Sequence, residues 1–180
     1  MPAPPAERAG STRRDPWWLG GIAIVLLAAR LLVAHGGGEQ AGALPDRVHW
    51  VPAADAAAAE AATGKPILYE FSAEWCGPCR QMQREMFASE QWARGIDRSV
   101  VPVRIVDRSR EDGHNTPLVD SLQRVCQVTA FPTLALVADG HIVDRQEGYG
   151  GASPTMQWLG SAVMRSGKGP GIHIKLNTPR

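Results

Sequence analysis

Two cysteines separated by two residues are the part of this sequence best suited to chemistry. Cys76 and Cys79 follow a strand-like run at 67–71, and a helix-like run at 80–87 comes after them. Spaced three apart on a helix, they lie on one face and can close a small disulfide. The first sits at the helix N-terminus, where the dipole and free N–H groups favour a thiolate. We therefore predict Cys76 as the nucleophile of disulfide exchange and Cys79, one turn in and more shielded, as the resolving cysteine.

The same pair could instead have a structural purpose. A structural zinc site usually needs four ligands, but Cys126 is alone and the five histidines are scattered. A purely structural disulfide would close a loop so short that it removes little entropy from the unfolded chain. Redox chemistry is therefore the favoured interpretation. It needs no metal and no cofactor beyond the Cys76–Cys79 disulfide.

Two segments carry a family resemblance. Residues 65–80 resemble the active-site segment of thioredoxins, and the signature Thr-Ala-Phe-Pro-Thr at 129–133 follows in family order. The resemblance implies a thioredoxin-like fold. It also implies that Pro132 is cis and faces the cysteines, so that backbone beside it, at Phe131 and Thr133, docks a substrate as a short added strand. The active-site motif also includes Trp75, Gly77 and Pro78.

A further pattern is similar to a membrane-associated group within that family. Val48-His49-Trp50 is followed by an alanine-rich segment and then by Lys65-Pro66. This arrangement resembles the group that includes the C-terminal domain of DsbD-type thiol:disulfide interchange proteins. The resemblance implies a redox domain that works at a membrane.

One position departs from the thioredoxin pattern. Thioredoxins place a buried aspartate six residues before the first active-site cysteine, where this sequence has Glu70. Period-2 alternation puts Leu68, Glu70 and Ser72 on one strand face, beneath the helix that carries the cysteines. A carboxyl buried there would have a raised pKa and could move the proton of Cys79, directly or through water. The alternative is a charge at the strand's edge or one held by Arg104 of a neighbouring strand.

Composition limits the function classes. The chain has 180 residues, a net charge of +1 and 44% hydrophobic residues, which is enough for one compact domain with appendages. The tryptophans do not interleave with lysine or arginine, as a nucleic-acid surface would require. We therefore expect no nucleic-acid binding.

The apolar run Trp17–Ala34 predicts a transmembrane anchor. It contains a single charge, Arg30, and at about 1.5 Å per residue it just spans a hydrocarbon core. Three arginines precede the run, whereas residues 35–44 carry no lysine or arginine. The positive-inside rule then places residues 1–16 in the cytoplasm and the redox domain in the periplasm or outside. A cleaved signal peptide is the alternative.

The remaining sequence predicts one domain, at 47–166, between a linker at 35–46 and a flexible tail at 167–180, with residues 1–16 disordered. Predicted strands are 48–51, 65–72, 100–106, 133–138 and 141–146, and predicted helices are 53–62, 80–87, 89–96, 117–127 and 153–164. Residues 108–116 read as a solvated loop, and Cys126 as a small buried hydrophobe, with a redox or regulatory role as the alternative. This order indicates an α/β fold, a central mixed sheet with helices on both faces. The thioredoxin assignment within that class comes from the two motifs.

These features predict an extracytoplasmic, membrane-anchored thiol:disulfide oxidoreductase acting on protein disulfides. The Gly-Pro dipeptide between the cysteines resembles the reducing thioredoxins, whose couple lies near about −270 mV, so we expect a reductase. A reductase in an oxidising compartment needs a transmembrane electron donor, and its clients would belong to cytochrome c maturation or to repair of wrongly paired cysteines. The alternative is a chaperone or assembly module that holds extended peptides at the Pro132 groove.

Overall fold

The computed structural model describes residues 45–168. The predicted N-terminal segment 1–16 and anchor 17–34 lie outside these residues, as do most of the predicted linker and tail. Within 45–168, no helix combines the length and apolar character that a membrane crossing requires.

Four strands form one mixed sheet in the order β2-β1-β3-β4. They are β1 (Ile67–Ala73), β2 (Val101–Asp107), β3 (Thr133–Ala138) and β4 (His141–Glu147). Strands β1 and β2 are parallel, whereas β3 runs antiparallel to both β1 and β4. The β3–β4 turn has Asp139 at φ 50° and Gly140 at φ 76°. Two such left-handed residues are what a two-residue Asp-Gly hairpin needs, so the predicted hairpin is confirmed.

Six α-helices lie within the described residues: α1 (Ala56–Thr63), α2 (Gly77–Met82), α3 (Glu90–Ser99), α4 (Ser109–Asp112), α5 (Pro117–Val125) and α6 (Ala152–Arg165). A 3-10 turn precedes α1, and a π-helical segment, Gln83–Phe87, continues α2. Helix α1 ends at Gly64, which is left-handed with φ 68°. Helix α5 begins with Pro117 behind Thr116, whose side chain caps the first turn.

The sheet separates two apolar clusters, as alternation along β1 requires. Leu68 belongs to the cluster under α2, α3 and α6, whereas Tyr69 and Phe71 belong to the cluster under α1 and α5. Helices therefore cover both faces of the sheet. The α/β, thioredoxin-like arrangement predicted from the sequence is confirmed.

Two local predictions are wrong. Residues 48–51 do not form an edge strand: one bond, from the Val51 N–H to the Pro102 carbonyl (2.8 Å), joins them to β2. Pro102 has no N–H to return a second bond at this position. Residues 108–116 are not entirely loop, since they include α4. Asp107 accepts bonds from both the backbone N–H and the hydroxyl of Ser109, which fixes the chain where α4 begins.

Candidate active site

Cys76 and Cys79 lie where β1 gives way to α2, and they form a disulfide with an S–S distance of 2.05 Å. Cys76 is the N-cap of α2, and its Sγ accepts a hydrogen bond from the Cys79 N–H at 3.1 Å. Gly77 and Pro78 form the first turn, where the missing N–H of proline costs no helical bond. In the reduced protein, an N–H donor and a helix N-terminus at this position would favour a Cys76 thiolate.

Exposure does not separate the two cysteines as the sequence analysis expected. Cys76 is 3% exposed and Cys79 is 7% exposed, so Cys79 is not the more shielded. Both pack with Ala73 into a small cluster, and Phe131 packs against this cluster. Their positions along the helix distinguish them instead: Cys76 caps α2, whereas Cys79 lies within it.

The aromatic ring of Trp75 forms the exposed side of the site. It is 44% exposed, and it meets the Phe131 ring edge to face with centroids 5.9 Å apart. The Arg110 guanidinium of α4 lies 4.4 Å from the centre of the Trp75 ring. This contact joins residues 108–116 to the active site. It was not predicted, because the polar composition of a segment does not indicate which residues it will contact.

The second motif lies beside the cysteines through Phe131. The Phe131–Pro132 peptide bond is cis. Pro132 is buried, and its carbonyl accepts a bond from the Gly148 N–H at 2.8 Å. Thr133 is fully buried, and its hydroxyl donates to the Ala130 carbonyl at 2.7 Å. Within residues 45–168, no hydrogen bond engages the Phe131 backbone. Of the three residues predicted to bind substrate, Phe131 thus has the available backbone groups.

Glu70 lies on the face of β1 beneath the active-site helix and is 1% exposed. Its Oε2 accepts bonds from Arg104 Nε at 2.8 Å and from the Ser72 hydroxyl at 3.3 Å. The structure therefore contains the alternative in which Arg104, its register partner on β2, holds the charge. Burial raises the pKa of Glu70, and this effect outweighs the opposing influence of Arg104.

A cavity of about 210 Å³ links Glu70 to Cys79, and Gln83 and Arg104 also line it. Its lining includes the polar side chains of Glu70, Gln83 and Arg104, and such groups can hold a water molecule. The cavity can therefore admit water between the carboxyl group and the resolving cysteine. A route for a proton between Glu70 and Cys79 is physically available.

Arg104 is the centre of a cluster that the sequence analysis did not find. Its Nη1 donates to Asp46 at 2.5 Å and its Nη2 to Gln83 at 3.0 Å. The guanidinium carbon lies 4.1 Å from the centre of the Trp50 ring and 5.0 Å from that of Phe87. In a regular α-helix that buries Met82, Met86 and Phe87, Gln83 would point outward. The π-helical turn that begins there changes the helical spacing, so a position that α-helical counting places outside meets Arg104.

Asp107, at the end of β2, is the other buried acid near the site. It is 6% exposed and accepts bonds from Ser109, Asn115 and Gln123 at 2.6 to 3.1 Å. Burial opposes ionisation, but these hydrogen bonds together lower the pKa of Asp107. The bonds tie β2 to α4 and α5.

Cys126 is a free thiol in the apolar cluster under α5, as its structural interpretation predicted. Burial raises its pKa to about 11. Across the described part of the chain, no three His, Cys, Asp or Glu side chains are grouped so that they could hold a metal ion.

Comparisons with known proteins agree with this geometry. The thioredoxin-like protein slr0233 of Synechocystis is 30% identical over 99 residues, which are 55% of this chain and 83% of that protein. Thioredoxin of Mycobacterium tuberculosis is 33% identical over 103 residues, 56% of this chain and 77% of that protein.

Solved structures show the same fold. A DsbH oxidoreductase has a TM-score of 0.57 at 22% identity, covering 68% of this chain and 88% of its own. A thioredoxin from Thermus thermophilus has a TM-score of 0.56 at 22% identity, covering 67% and 91%. The family model for the thioredoxin-like domain matches residues 53–162. The chain therefore belongs to the thioredoxin-like family and is a thiol–disulfide oxidoreductase with a disulfide-forming pair, Cys76 and Cys79.

Proposed function

We propose that this protein is an extracytoplasmic, membrane-anchored oxidoreductase that reduces protein disulfides. The observation that carries the proposal is the placement of Cys76. Its sulfur caps a helix, accepts the Cys79 N–H at 3.1 Å and lies in a cluster against Phe131. A nucleophile, its resolving partner and a peptide-docking backbone are thus combined at one place.

The exchange proceeds in two steps. The Cys76 thiolate attacks a substrate disulfide, forming a mixed disulfide and releasing one substrate thiolate. Cys79 then loses its proton to the Glu70 carboxylate through the shared cavity, and its thiolate attacks the Cys76 sulfur. The second substrate thiolate leaves as the Cys76–Cys79 disulfide closes. The substrate gains two electrons, the protein loses two, and a dithiol donor must return them.

Substrate docking uses the exposed face around Phe131. An extended peptide can pair with the Phe131 backbone as a short added strand, because that backbone is otherwise free of hydrogen bonds within the described residues. The Trp75 ring offers apolar surface beside it. Pro132 shapes this segment, whereas the buried Thr133 side chain positions it from below.

Location and direction rest on the sequence. The run Trp17–Ala34, with arginines before it, favours an anchor in the cytoplasmic membrane and a redox domain in the periplasm or outside. The Gly77-Pro78 dipeptide favours a reducing couple. Electrons would come from a transmembrane donor, as in the DsbD-type group that the N-terminal pattern of the domain resembles. Clients in cytochrome c maturation fit such a reductase.

An insulin-reduction assay tests the enzymatic proposal. The full-length chain should reduce insulin with dithiothreitol as donor, and the Cys76→Ser, Cys79→Ser double variant should not. Cys126→Ser is the matched control and should retain activity, because Cys126 is buried away from the pair. A wild-type protein that only prevents aggregation of unfolded peptides, without reduction, would indicate the peptide-holding module instead.

Two measurements test direction and location. Equilibration with glutathione buffers should give a couple within about 40 mV of −270 mV, and a value above about −180 mV would make the protein an oxidant. After carbonate washing of membranes, the full-length chain should stay in the pellet. A soluble form that begins near Ala43 would show a cleaved signal peptide.

A further inference from the structure

Arg104 forms ion pairs with two carboxylates beneath the active site. Arg104 donates through Nε to Glu70 at 2.8 Å and through Nη1 to Asp46 at 2.5 Å. The two acids lie on different parts of the chain: Glu70 is in β1, and Asp46 is in the segment before α1. If both were ionised, one positive charge would face two negative charges, so the cluster favours retaining a proton.

The two acids compete for Arg104 on unequal terms. Asp46 accepts two further bonds, from the Trp50 indole N–H at 2.8 Å and from the Val48 N–H at 3.2 Å. Its side chain is 27% exposed, whereas that of Glu70 is 2% exposed. A carboxylate is more stable where it has more donors and more water. Burial and the smaller number of donors therefore favour the protonated form of Glu70.

Asp46 is held in this position by the backbone around it. The Arg47 N–H donates to the Phe87 carbonyl at 2.8 Å, and the His49 N–H donates to Asp97 at 3.1 Å. These bonds fasten the segment to the end of the π-helix and to α3. The Trp50 ring also covers the Arg104 guanidinium. The contact between Asp46 and Arg104 is thus built into the fold rather than made by a loose surface side chain.

We propose that Asp46 is a positioning residue for disulfide exchange: by competing with Glu70 for Arg104, it keeps a proton on Glu70 while the Cys76–Cys79 disulfide is closed. This inference rests on the proposed role of Glu70. When an incoming thiolate attacks the Cys76 sulfur and the disulfide opens, Cys79 leaves as a thiolate. A protonated Glu70 can then transfer its proton to Cys79 through the cavity, and in the opposite direction it takes that proton back.

The other groups around Glu70 do not supply this effect. Ser72 donates a hydroxyl bond, which favours the ionised form of Glu70. Gln83 is neutral and accepts from Arg104. Titratable or charged side chains that line the cavity with Glu70 and Arg104 are Glu74, Cys79 and Arg80. Burial is the largest cause of the raised pKa of Glu70, and the charge of Asp46, the one other acid bonded to Arg104 within the described residues, raises it further.

Asp46→Asn tests the inference, because it removes the competing charge and keeps the side-chain shape. The full-length chain, labelled with ¹³C at the glutamate carboxyl groups, is titrated in the oxidised state. The Glu70 signal is identified as the one that disappears in Glu70→Gln. We expect the pKa of Glu70 to fall by about 1 pH unit or more in Asp46→Asn, since Arg104 then serves it alone. Asp46→Glu should keep it near the wild-type value.

Asp144→Asn is the matched control. Asp144 also accepts an indole N–H, from Trp158 at 3.0 Å, and pairs with an arginine, Arg165. Its side chain is 31% exposed, close to the value for Asp46, but it lies on β4, two strands from Glu70. An unchanged pKa of Glu70 in Asp46→Asn overturns the inference, and so does an equal fall in Asp144→Asn.

Kinetics separate this inference from the proposed role of Glu70. If both hold, the pH profile of the resolving step in Asp46→Asn moves to lower pH by as much as the pKa of Glu70 falls. If Glu70→Gln leaves the resolving rate unchanged, the proton-transfer role fails, while the carboxyl titration still decides whether Asp46 controls Glu70. Should Asp46→Asn fold poorly by near-UV circular dichroism, Asp46→Ser repeats the titration.

Discussion

Glu70 and Asp107 are buried acids on neighbouring parallel strands, yet their surroundings shift their pKa values in opposite directions. Among residues 45–168, Glu70 pairs with one cation, Arg104, which it shares with Asp46, and it borders a cavity. Asp107 is surrounded by neutral donors from Ser109, Asn115 and Gln123. The pKa is raised at Glu70 and lowered at Asp107.

The difference shows that burial alone does not decide what an acid does. Several fixed N–H and O–H donors hold Asp107 ionised, so it serves as a constant anchor for α4 and α5. Glu70 is buried with fewer donors and has room beside it for water, so its charge can change during a reaction. Two environments that move pKa values apart assign different roles to the same functional group.

The largest expected effect separates the two acids kinetically. Glu70→Gln should slow the resolving step by about 10²-fold at neutral pH while attack by Cys76 stays largely intact, because a proton acceptor is lost. Asp107→Asn should leave both steps nearly unchanged. Rapid mixing with a disulfide substrate measures the two phases. Equal resolving rates in wild type and Glu70→Gln would remove Glu70 from the mechanism.

The next largest effect is on stability, which Asp107→Asn should lower and Glu70→Gln should not. Asp107→Asn should lower the free energy of unfolding by about 1–3 kcal/mol, since an amide nitrogen would face buried donors. If Glu70 had no partner, replacing it by Gln would stabilise the fold, because the cost of a buried charge would be removed. Arg104 holds the carboxylate, but the raised pKa means that burial outweighs this contact, so we expect Glu70→Gln to raise the free energy of unfolding at neutral pH, not to lower it. Urea melts compare the two, and a larger loss for Glu70→Gln would contradict the comparison.

The pH dependence of stability should differ in sign. Because the pKa of Glu70 is raised in the folded state, its contribution to the free energy of unfolding is fullest below the ordinary glutamate pKa. This contribution falls as pH rises above about 4. The lowered pKa of Asp107 means that its contribution is present above the ordinary value and is lost as pH falls through the folded value. Urea melts across pH, with each variant subtracted from wild type, should give two slopes of opposite sign. Parallel slopes would show that the environments are equivalent.

The smallest effect is expected from Glu70→Asp, which restores the residue type that thioredoxins have at this position. The carboxyl group is kept but withdrawn by one methylene from Arg104 and from the cavity. The resolving step should slow less than in Glu70→Gln, and rapid mixing of both variants provides the ranking. A loss as large as that of the amide would show that reach, rather than proton capacity, limits the step.

The local parts of the site follow from the sequence. The helix N-cap at Cys76, the Asp-Gly hairpin and the inward face of β1 depend on short-range spacing, which can be read directly. Residues 48–51 have a strand-like pattern but do not form a strand. Pro102, opposite them on β2, lacks the N–H that a second bond at that position would need. Polar loops give no pattern, so the contact of Arg110 with Trp75 could not be predicted.

The Arg104 cluster required tertiary structure. Asp46 and Arg104 are 58 positions apart, and nothing in the sequence pairs them. Arg104 could be named only as one alternative partner of Glu70, because strand register cannot be read from one sequence. The π-helical turn at Gln83 likewise has no composition signal, and it places that side chain against Arg104.

Alkylation of the buried Cys126 thiol can report on opening of the domain. With a pKa raised to about 11 and 1% exposure, this thiol should resist alkylation at neutral pH while the domain stays closed. Mild labelling of the reduced chain should therefore add at most two groups, at Cys76 and Cys79, and labelling of the oxidised chain none, by intact mass. A third group can enter only when the helix above Cys126 opens. The rate of that addition would time the opening of the domain in both redox states without any engineered probe.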